Sequence, residues 1–220
     1  LLDWFSGNVS YEETVYKDKV SSIVQQFITF VYQVLTERQF YQKFENQEER
    51  QMTFIKNAII YSLYQKPLSY SKLLRLVPDY YTENTADFDT ALEEVSIFIE
   101  PKGLADNAVF KLKDSYYSKI DPLRLGNLGN EFENSATVLR THISKCKRDD
   151  MNKIILQPQI LSPKNLDTVV TQLGSFTRHP VFVKVIYKLL QISLDNEDST
   201  YLNELLHLIH AIFKDDEQIN

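Results

Sequence analysis

The sequence predicts a mainly α-helical fold, and three observations predict it. Only 5 of 220 residues are glycine, too few for the many tight turns of an all-β chain. Apolar residues recur at spacings of three and four over several long stretches, which is the period of one helix face. Pro67, Pro78, Pro163 and Pro180 stand where these stretches begin or end, as expected of a residue that cannot continue a helical hydrogen-bond ladder.

The first periodic stretch covers residues 11–44. Val20, Ile23, Val24, Phe27, Ile28, Val31, Val34 and Leu35 form its apolar stripe, and Ser10 with Glu13 has the spacing of a capping box. Residues 46–50 (Asn-Gln-Glu-Glu-Arg) are a polar break. A second helix is predicted over residues 48–64, with Phe54, Ile55, Ala58, Ile59 and Leu63 as its buried face. Lys66-Pro67 ends it. Ser69 is the N-cap candidate of a two-turn helix that Pro78 closes. Residues 79–85 read as a polar turn. A third short helix follows over 87–98, with Phe88, Leu92, Val95 and Phe98 on one side. Residues 108–112 alternate like a strand, and Ile97-Phe98-Ile99 is a candidate hairpin partner. Three helices with a short middle one and then a hairpin is the order of a winged-helix domain. The alternative is an irregular helical bundle with one incidental hairpin.

Residues 122–130 hold two of the glycines and read as a connector. A helix is predicted over 131–147, then a charge switch at Lys145-Cys146-Lys147-Arg148-Asp149-Asp150 and a proline-punctuated linker over 157–163. Ser162-Pro163 has the cap-then-first-turn pattern of a new helix. Helices over 163–173, 180–194 and 200–213 complete the chain, and the last two pair as an antiparallel hairpin. The domains expected are residues 1–50 (long helix), 51–121 (winged helix), 122–163 (connector with helix and linker) and 164–220 (helical tail). As folding units, a break near residue 130 is expected, with the weak point between Lys145 and Pro163. The apolar Ile154, Ile155, Leu156, Ile160 and Leu161 would let part of that linker lie against the body as a strap.

Composition narrows function. The formal charge is −6, from 24 basic and 30 acidic residues, which argues against a nucleic-acid binder. No apolar run approaches the ~20 residues that span a bilayer. The single cysteine, Cys146, cannot form an internal disulfide and suits a reducing compartment. One cysteine and 4 histidines cannot build a multi-zinc module. The chain begins at Leu1 without a basic leader and is read as a piece of a longer protein.

Few residues are arranged for chemistry. His207 and His210 share one helix face, as a metal pair would need, but no third ligand is fixed near them by spacing. His142 precedes Cys146 by one turn, yet a nucleophilic pair needs an orienting group and an oxyanion site that nothing marks. Phosphate-loop, dinucleotide and nucleophile-elbow motifs are missing from the sequence. No catalytic, cofactor-binding or metal residue is therefore assigned. The third winged-helix helix carries Asp87, Asp89, Glu93 and Glu94 and no lysine or arginine. Phosphates would repel such a helix, so a protein-interaction or architectural domain is the reading, with nucleic-acid binding as the alternative. Lys102, Lys111 and Lys113 in the wing are balanced by Glu100, Asp106 and Asp114.

Several segments resemble the N-recognins, the UBR-box, RING-type E3 ubiquitin ligases of the N-degron pathway. Trp4-Phe5-Ser6-Gly7 resembles the family's tryptophan-containing entry to this region. Thr36-Glu37-Arg38 resembles its "GER" step, with threonine for glycine. Pro67-Leu68-Ser69-Tyr70-Ser71, running on to Pro78, resembles the "P-x-x-H-S" helix, with Tyr70 where histidine is common. Val109-Phe110-Lys111-Leu112-Lys113-Asp114 is similar to the "V-Y-E-L-K-D" strand, and Pro101-Lys102-Gly103 to the "K-K-P-G" turn before it. The matches are clearest over residues 4–121.

The resemblance implies a winged-helix and helical middle region of a ligase that transfers ubiquitin to substrate lysines. Zinc would sit in UBR-box and RING modules elsewhere in the parent. The ubiquitin-conjugating enzyme and N-degron substrates would be partners of the parent, and neighbouring ligase domains would be partners within the chain. Nucleic acid and membrane are not expected partners, and the setting implied is cytoplasmic, with the nucleus as an addition.

Overall fold

The computed structural model describes residues 17–82, 85–101, 103, 106–124, 130–161, 165–166, 170, 172–195 and 200–219. In chain order the elements are α1 (Lys17–Thr36), α2 (Gln47–Leu63), α3 (Tyr70–Leu76), α4 (Asp79–Thr82), α5 (Thr85–Val95), β1 (Ser96–Ile99), β2 (Val109–Leu112), α6 (Asn130–Lys147), α7 (Pro180–Asp195) and α8 (Leu202–Ile219). Short 3-10 turns cover Glu37–Tyr41, Asp114–Lys119, Met151–Lys153 and Leu173–Arg178. Among the described residues the fold is mainly helical with one hairpin. The Trp4 segment, the Ser10/Glu13 capping box and the Ser162-Pro163 helix start lie outside the described residues.

Two compact units form. The helical unit comprises Leu1–Lys43, Asp121–Asn134 and Pro158–Asn220, and the winged-helix unit comprises Phe44–Ile120 and Ser135–Gln157. These are not the contiguous halves that the sequence suggests. Ala136, Leu139, Ile143 and Leu156 are buried in the winged-helix core, so the apolar face of α6 and the strap after it carry residues 135–157 into that unit.

In the winged-helix unit, Asn46 caps α2 by accepting the Glu49 N–H at 2.8 Å. The polar break is thus a helix start. Ile55, Ile59 and Leu63 of α2 meet Leu73 of α3 and Phe88, Leu92 and Val95 of α5 in one core. Ser69 holds the N-cap position of α3 without a side-chain cap bond; its carbonyl accepts from Lys72 and Leu73 N–H instead. The turn expected over 79–85 contains the single helical turn α4, where Thr82 Oγ1 donates to the Asp79 carbonyl. Helix α5 stops at Val95, three residues short of expectation. Ser96–Ile99 pairs antiparallel with Val109–Leu112, Ser96 opposite Leu112 and Ile99 opposite Val109, so the β-branched and aromatic residues go to the strand. Leu68 adds a third short pairing: its N–H donates to Phe110 O at 3.0 Å and its carbonyl accepts from Phe110 N–H at 2.8 Å. This three-stranded edge completes the winged-helix order.

In the helical unit, Val24, Ile28, Val31 and Leu35 of α1 pack with Ile186 and Leu189 of α7 and Leu205, Leu208 and Ala211 of α8. Leu123, Phe132 and Ile160 from the other stretches join this core. Helix α1 ends at Thr36, not at residue 44. Thr36 Oγ1 bonds the Tyr32 carbonyl and Arg38 Nε bonds the Leu35 carbonyl at 2.8 Å, which tightens the next residues into a 3-10 turn. Near the expected 163–173 helix, the described Leu173–Arg178 is also a 3-10 turn. Helix α6 ends at Lys147, and Arg148 takes the left-handed conformation with φ 59°, the usual way a helix terminates. The strap alternates as an extended segment does: Ile155 is exposed, while Leu156, Pro158 and Ile160 are buried.

Candidate functional site

The most concentrated polar chemistry lies inside the helical unit, around Asp121. Ile120 is buried and Asp121 precedes Pro122, which restricts its backbone to an extended conformation. Its carboxylate then folds over the next residues as an Asx turn, Oδ1 accepting the Leu123 N–H at 3.2 Å. Oδ1 also accepts from His207 Nε2 at 3.0 Å. Oδ2 accepts the Gln159 N–H at 2.9 Å and the Tyr32 hydroxyl. Tyr32 comes from the buried stripe of α1, His207 from the buried face of α8, and Gln159 from the strap.

Asp121 and Tyr32 are fully buried, and His207 is 8% exposed. Burial opposes the Asp121 charge, but the hydrogen bond and charge of His207, the Tyr32 hydroxyl and the Gln159 N–H outweigh it. Together they hold the carboxyl below its ordinary range. All four contacts are donors, and an ionised carboxylate accepts them through both oxygens. The His207 ring also lies against Tyr32 and Phe132, at 5.4 and 5.9 Å between centroids. The three stretches that compose the helical unit thus converge on one carboxylate. With its oxygens occupied and no exposed atom, this node is suited to holding chain segments and not to acting on a substrate.

A second buried pair supports the same unit. Arg38 Nη2 meets Asp215 Oδ1 at 2.7 Å, with both side chains at most 2% exposed. A Cβ on Gly174 would collide with Asp215 Oδ2 and reach 3.4 Å from both Arg38 terminal nitrogens. The glycine is required by close approach to the pair.

His207 is occupied by Asp121, and His210 is half-buried one turn on. Among the described residues no group of three or more His, Cys, Asp or Glu is arranged to hold a metal ion. His142 stacks flat on Tyr117, with centroids 3.9 Å apart and 8° between planes, while Cys146 is exposed. The ring serves packing. On α5, Asp89 accepts the Tyr70 hydroxyl at 2.7 Å and Glu94 pairs with Lys56 at 2.6 Å. Lys113 donates to the Glu93 and Glu94 carbonyls at 2.8 and 2.6 Å, closing the C-terminus of α5. Lys111 approaches Asp114 at 3.8 Å. The wing lysines near this helix are therefore engaged by the unit's own carbonyls and carboxylates.

Sequence reasoning did not find Tyr32, Asp121, Asp215 or Gly174. The signals available were weak: an aspartate directly before a proline, and Arg38 three residues after Leu35 on the buried face. The family-like Thr36-Glu37-Arg38 step marked Arg38 without giving it a role.

Residues 54–154 match the family model described as the winged-helix domain of UBR1-like E3 ubiquitin-protein ligases. The whole chain, over 220 residues, is 64% identical to the E3 ubiquitin-protein ligase UBR1 of Saccharomyces cerevisiae. It is 26% identical over 216 residues (96% of the chain) to UBR2 of the same yeast, and 23% identical over 210 residues (93% of the chain) to UBR1 of Drosophila melanogaster. The chain belongs to the UBR1-like E3 ubiquitin-protein ligase family, as a region that carries its winged-helix domain. It spans 11% of the length of each of these relatives.

Proposed function

We propose that this region is a scaffold of an N-degron-pathway E3 ubiquitin ligase. It would hold the substrate-binding and conjugating-enzyme-binding modules of the parent at a separation that allows transfer of ubiquitin to substrate lysines. The observation that supports this reading is the way the helical unit is tied: three separate stretches meet at buried Asp121, whose carboxylate has no exposed atom with which to act on a substrate. Fixing two bound partners converts an encounter between them into an effectively intramolecular step. The zinc-bearing UBR-box and RING modules would lie elsewhere in the parent, which would work in the cytoplasm and also in the nucleus. The −6 charge and the engaged acidic face of α5 favour neighbouring ligase domains as contacts over nucleic acid. Among the described residues no helix is long and apolar enough to cross a membrane.

The test is replacement. In the full-length ligase these 220 residues are exchanged for a flexible Gly/Ser linker of matching span. Binding of a degron peptide and of the conjugating enzyme, each measured separately, should persist while ubiquitin transfer to substrate falls steeply. Unchanged transfer would overturn the reading. So would discharge of a ubiquitin-loaded conjugating enzyme by the 220-residue chain alone, or salt-sensitive binding of that chain to duplex DNA tighter than ~10 μM.

A further inference from the structure

Helices α7 and α8 leave an apolar channel on the surface of the helical unit. Tyr201 OH bonds the Leu189 carbonyl at one end, and Arg178 pairs with Asp216 at 2.8 Å at the other. The two helices therefore run antiparallel. Between them lies a groove of ≈ 360 Å³, floored by Ile186, Leu190, Ile209 and Ile212 and rimmed by Tyr187 and Phe213. The rim residues are 58% and 63% exposed.

The apolar residues follow a period on both sides. On α7 they are Val183, Tyr187, Leu190 and Leu194, and on α8 Leu202, Leu206, Ile209 and Phe213. Both sets run i, i+4, i+7, i+11, which is the seam spacing of packed helices. Leu194 and Leu206 carry the exposed apolar surface beyond the groove. Two such seams side by side form the receiving surface for a third helix.

Charge selects among the occupants. Lys184 is exposed and Lys188 half-buried on the α7 side next to Tyr187, and among the described residues neither takes part in an ion pair. The acid at the groove end, Asp216, is held by Arg178, and Asp195 closes the far end of α7. A second copy of the chain would bring the same lysine edge. A bilayer would meet a concave floor that it cannot fill without carrying water or lipid into it. We propose that the α7–α8 groove binds an amphipathic helix with an apolar seam and a glutamate- or aspartate-rich flank, aligned so that the acids face Lys184 and Lys188. This stands on the groove alone, whether or not the scaffold reading holds.

The test uses the 220-residue chain and a fluorescein-labelled helical peptide of about three heptads, with leucine at the seam positions and glutamate beside them. A twin peptide carries lysine in place of glutamate. In anisotropy titrations the acidic peptide should bind at least about fivefold more tightly than its twin. The paired change Tyr187→Ser with Phe213→Ser should weaken it at least about tenfold. The paired change Lys184→Glu with Lys188→Glu alters exposed Lys184 and half-buried Lys188, neither of which lines the groove. It should invert the preference between the twins with the melting curve unchanged, which keeps the test decisive should the first variant misfold. Equal affinity for both twins, no binding of either, or no inversion would overturn the proposal. Self-association of the chain that Tyr187→Ser abolishes, or adsorption to phosphatidylcholine/phosphatidylglycerol vesicles without peptide binding, would assign the groove to a second copy or a membrane and equally overturn it.

Discussion

Replacing Asp121 by asparagine removes the charge on which four donors converge and leaves the shape nearly intact. The amide keeps one accepting oxygen. Its NH2 must then face two donors, either the Tyr32 hydroxyl and Gln159 N–H or the His207 Nε2–H and Leu123 N–H. A buried donor left without an acceptor costs about 1–3 kcal/mol. The Tyr32 hydroxyl can rotate to accept from the amide, so the first orientation strands only the Gln159 N–H, and the expected loss is about 2–3 kcal/mol once part of the charge-assisted strength of the other pair is lost as well. Urea unfolding at pH 7, followed by far-ultraviolet circular dichroism, measures it. The sign with pH is fixed by the depressed carboxyl. A folded-state value below the unfolded ~3.9 makes this stabilisation fully present above that value and lost as pH falls through the lower, folded one. The gap between wild type and Asp121→Asn should therefore narrow as pH falls below the unfolded value. A loss under about 1 kcal/mol at pH 7, or a gap that does not change with acid, would refute the assignment of Asp121 as an ionised junction.

Gly174→Ala forces a methyl group onto the buried Arg38–Asp215 pair and should destabilise by about 2–3 kcal/mol, lowering Tm by about 5–10 °C in a scan; an unchanged Tm would mean that the turn yields. His142 is pushed down by burial and by the charges of Lys111 and Lys145, so its ring protons in an NMR titration should show a midpoint below the ordinary ~6.5. The unfolded chain then binds more protons between the two values, and this contribution to stability rises with pH across that window. Tyr117→Ser, which uncovers the ring, should move the midpoint back up, and a wild-type midpoint at or above 6.5 would contradict the stacked, part-buried placement. Trypsin should cut first among the exposed Lys145, Lys147, Arg148 and Lys153. The two pieces should part on a denaturing gel yet co-elute in native buffer, because residues on both sides of the cut lie in the winged-helix core.

The helical elements were legible because their signal is local. The Phe88, Leu92, Val95 spacing locates α5, and Pro67 and Pro78 bracket α3. What local pattern cannot carry is pairing over distance. Leu68 reads as a loop residue until Phe110, 42 positions later, supplies its hydrogen bonds. Ile97 and Phe98 satisfy a helical face as well as a strand, and the strand wins because β2 is there to receive it. The buried polar groups were the least legible. Asp121 looks like any connector aspartate, and His207 looks like half of a metal pair with His210. Only the convergence of α1, the strap and α8 shows that they bond to each other. The unit boundaries failed for the same reason: α6 and the strap are unremarkable in sequence and owe their place to the core into which Leu139 and Leu156 are buried.

The interleaving of the two units dictates an order of events on the ribosome. All of the winged-helix unit's residues have been made once residue 157 emerges, so it can close its core while the rest is still being translated. The helical unit cannot do so. Tyr32 and Asp121 emerge before His207, which belongs to α8, and until it arrives the carboxylate lacks a main partner. The nascent chain must therefore keep the apolar stripe of α1 unsatisfied until α8 has been made. Truncations that remove α8 strand α1 as well, and termination before it would leave a folded winged-helix unit attached to a sticky, chaperone-dependent remainder.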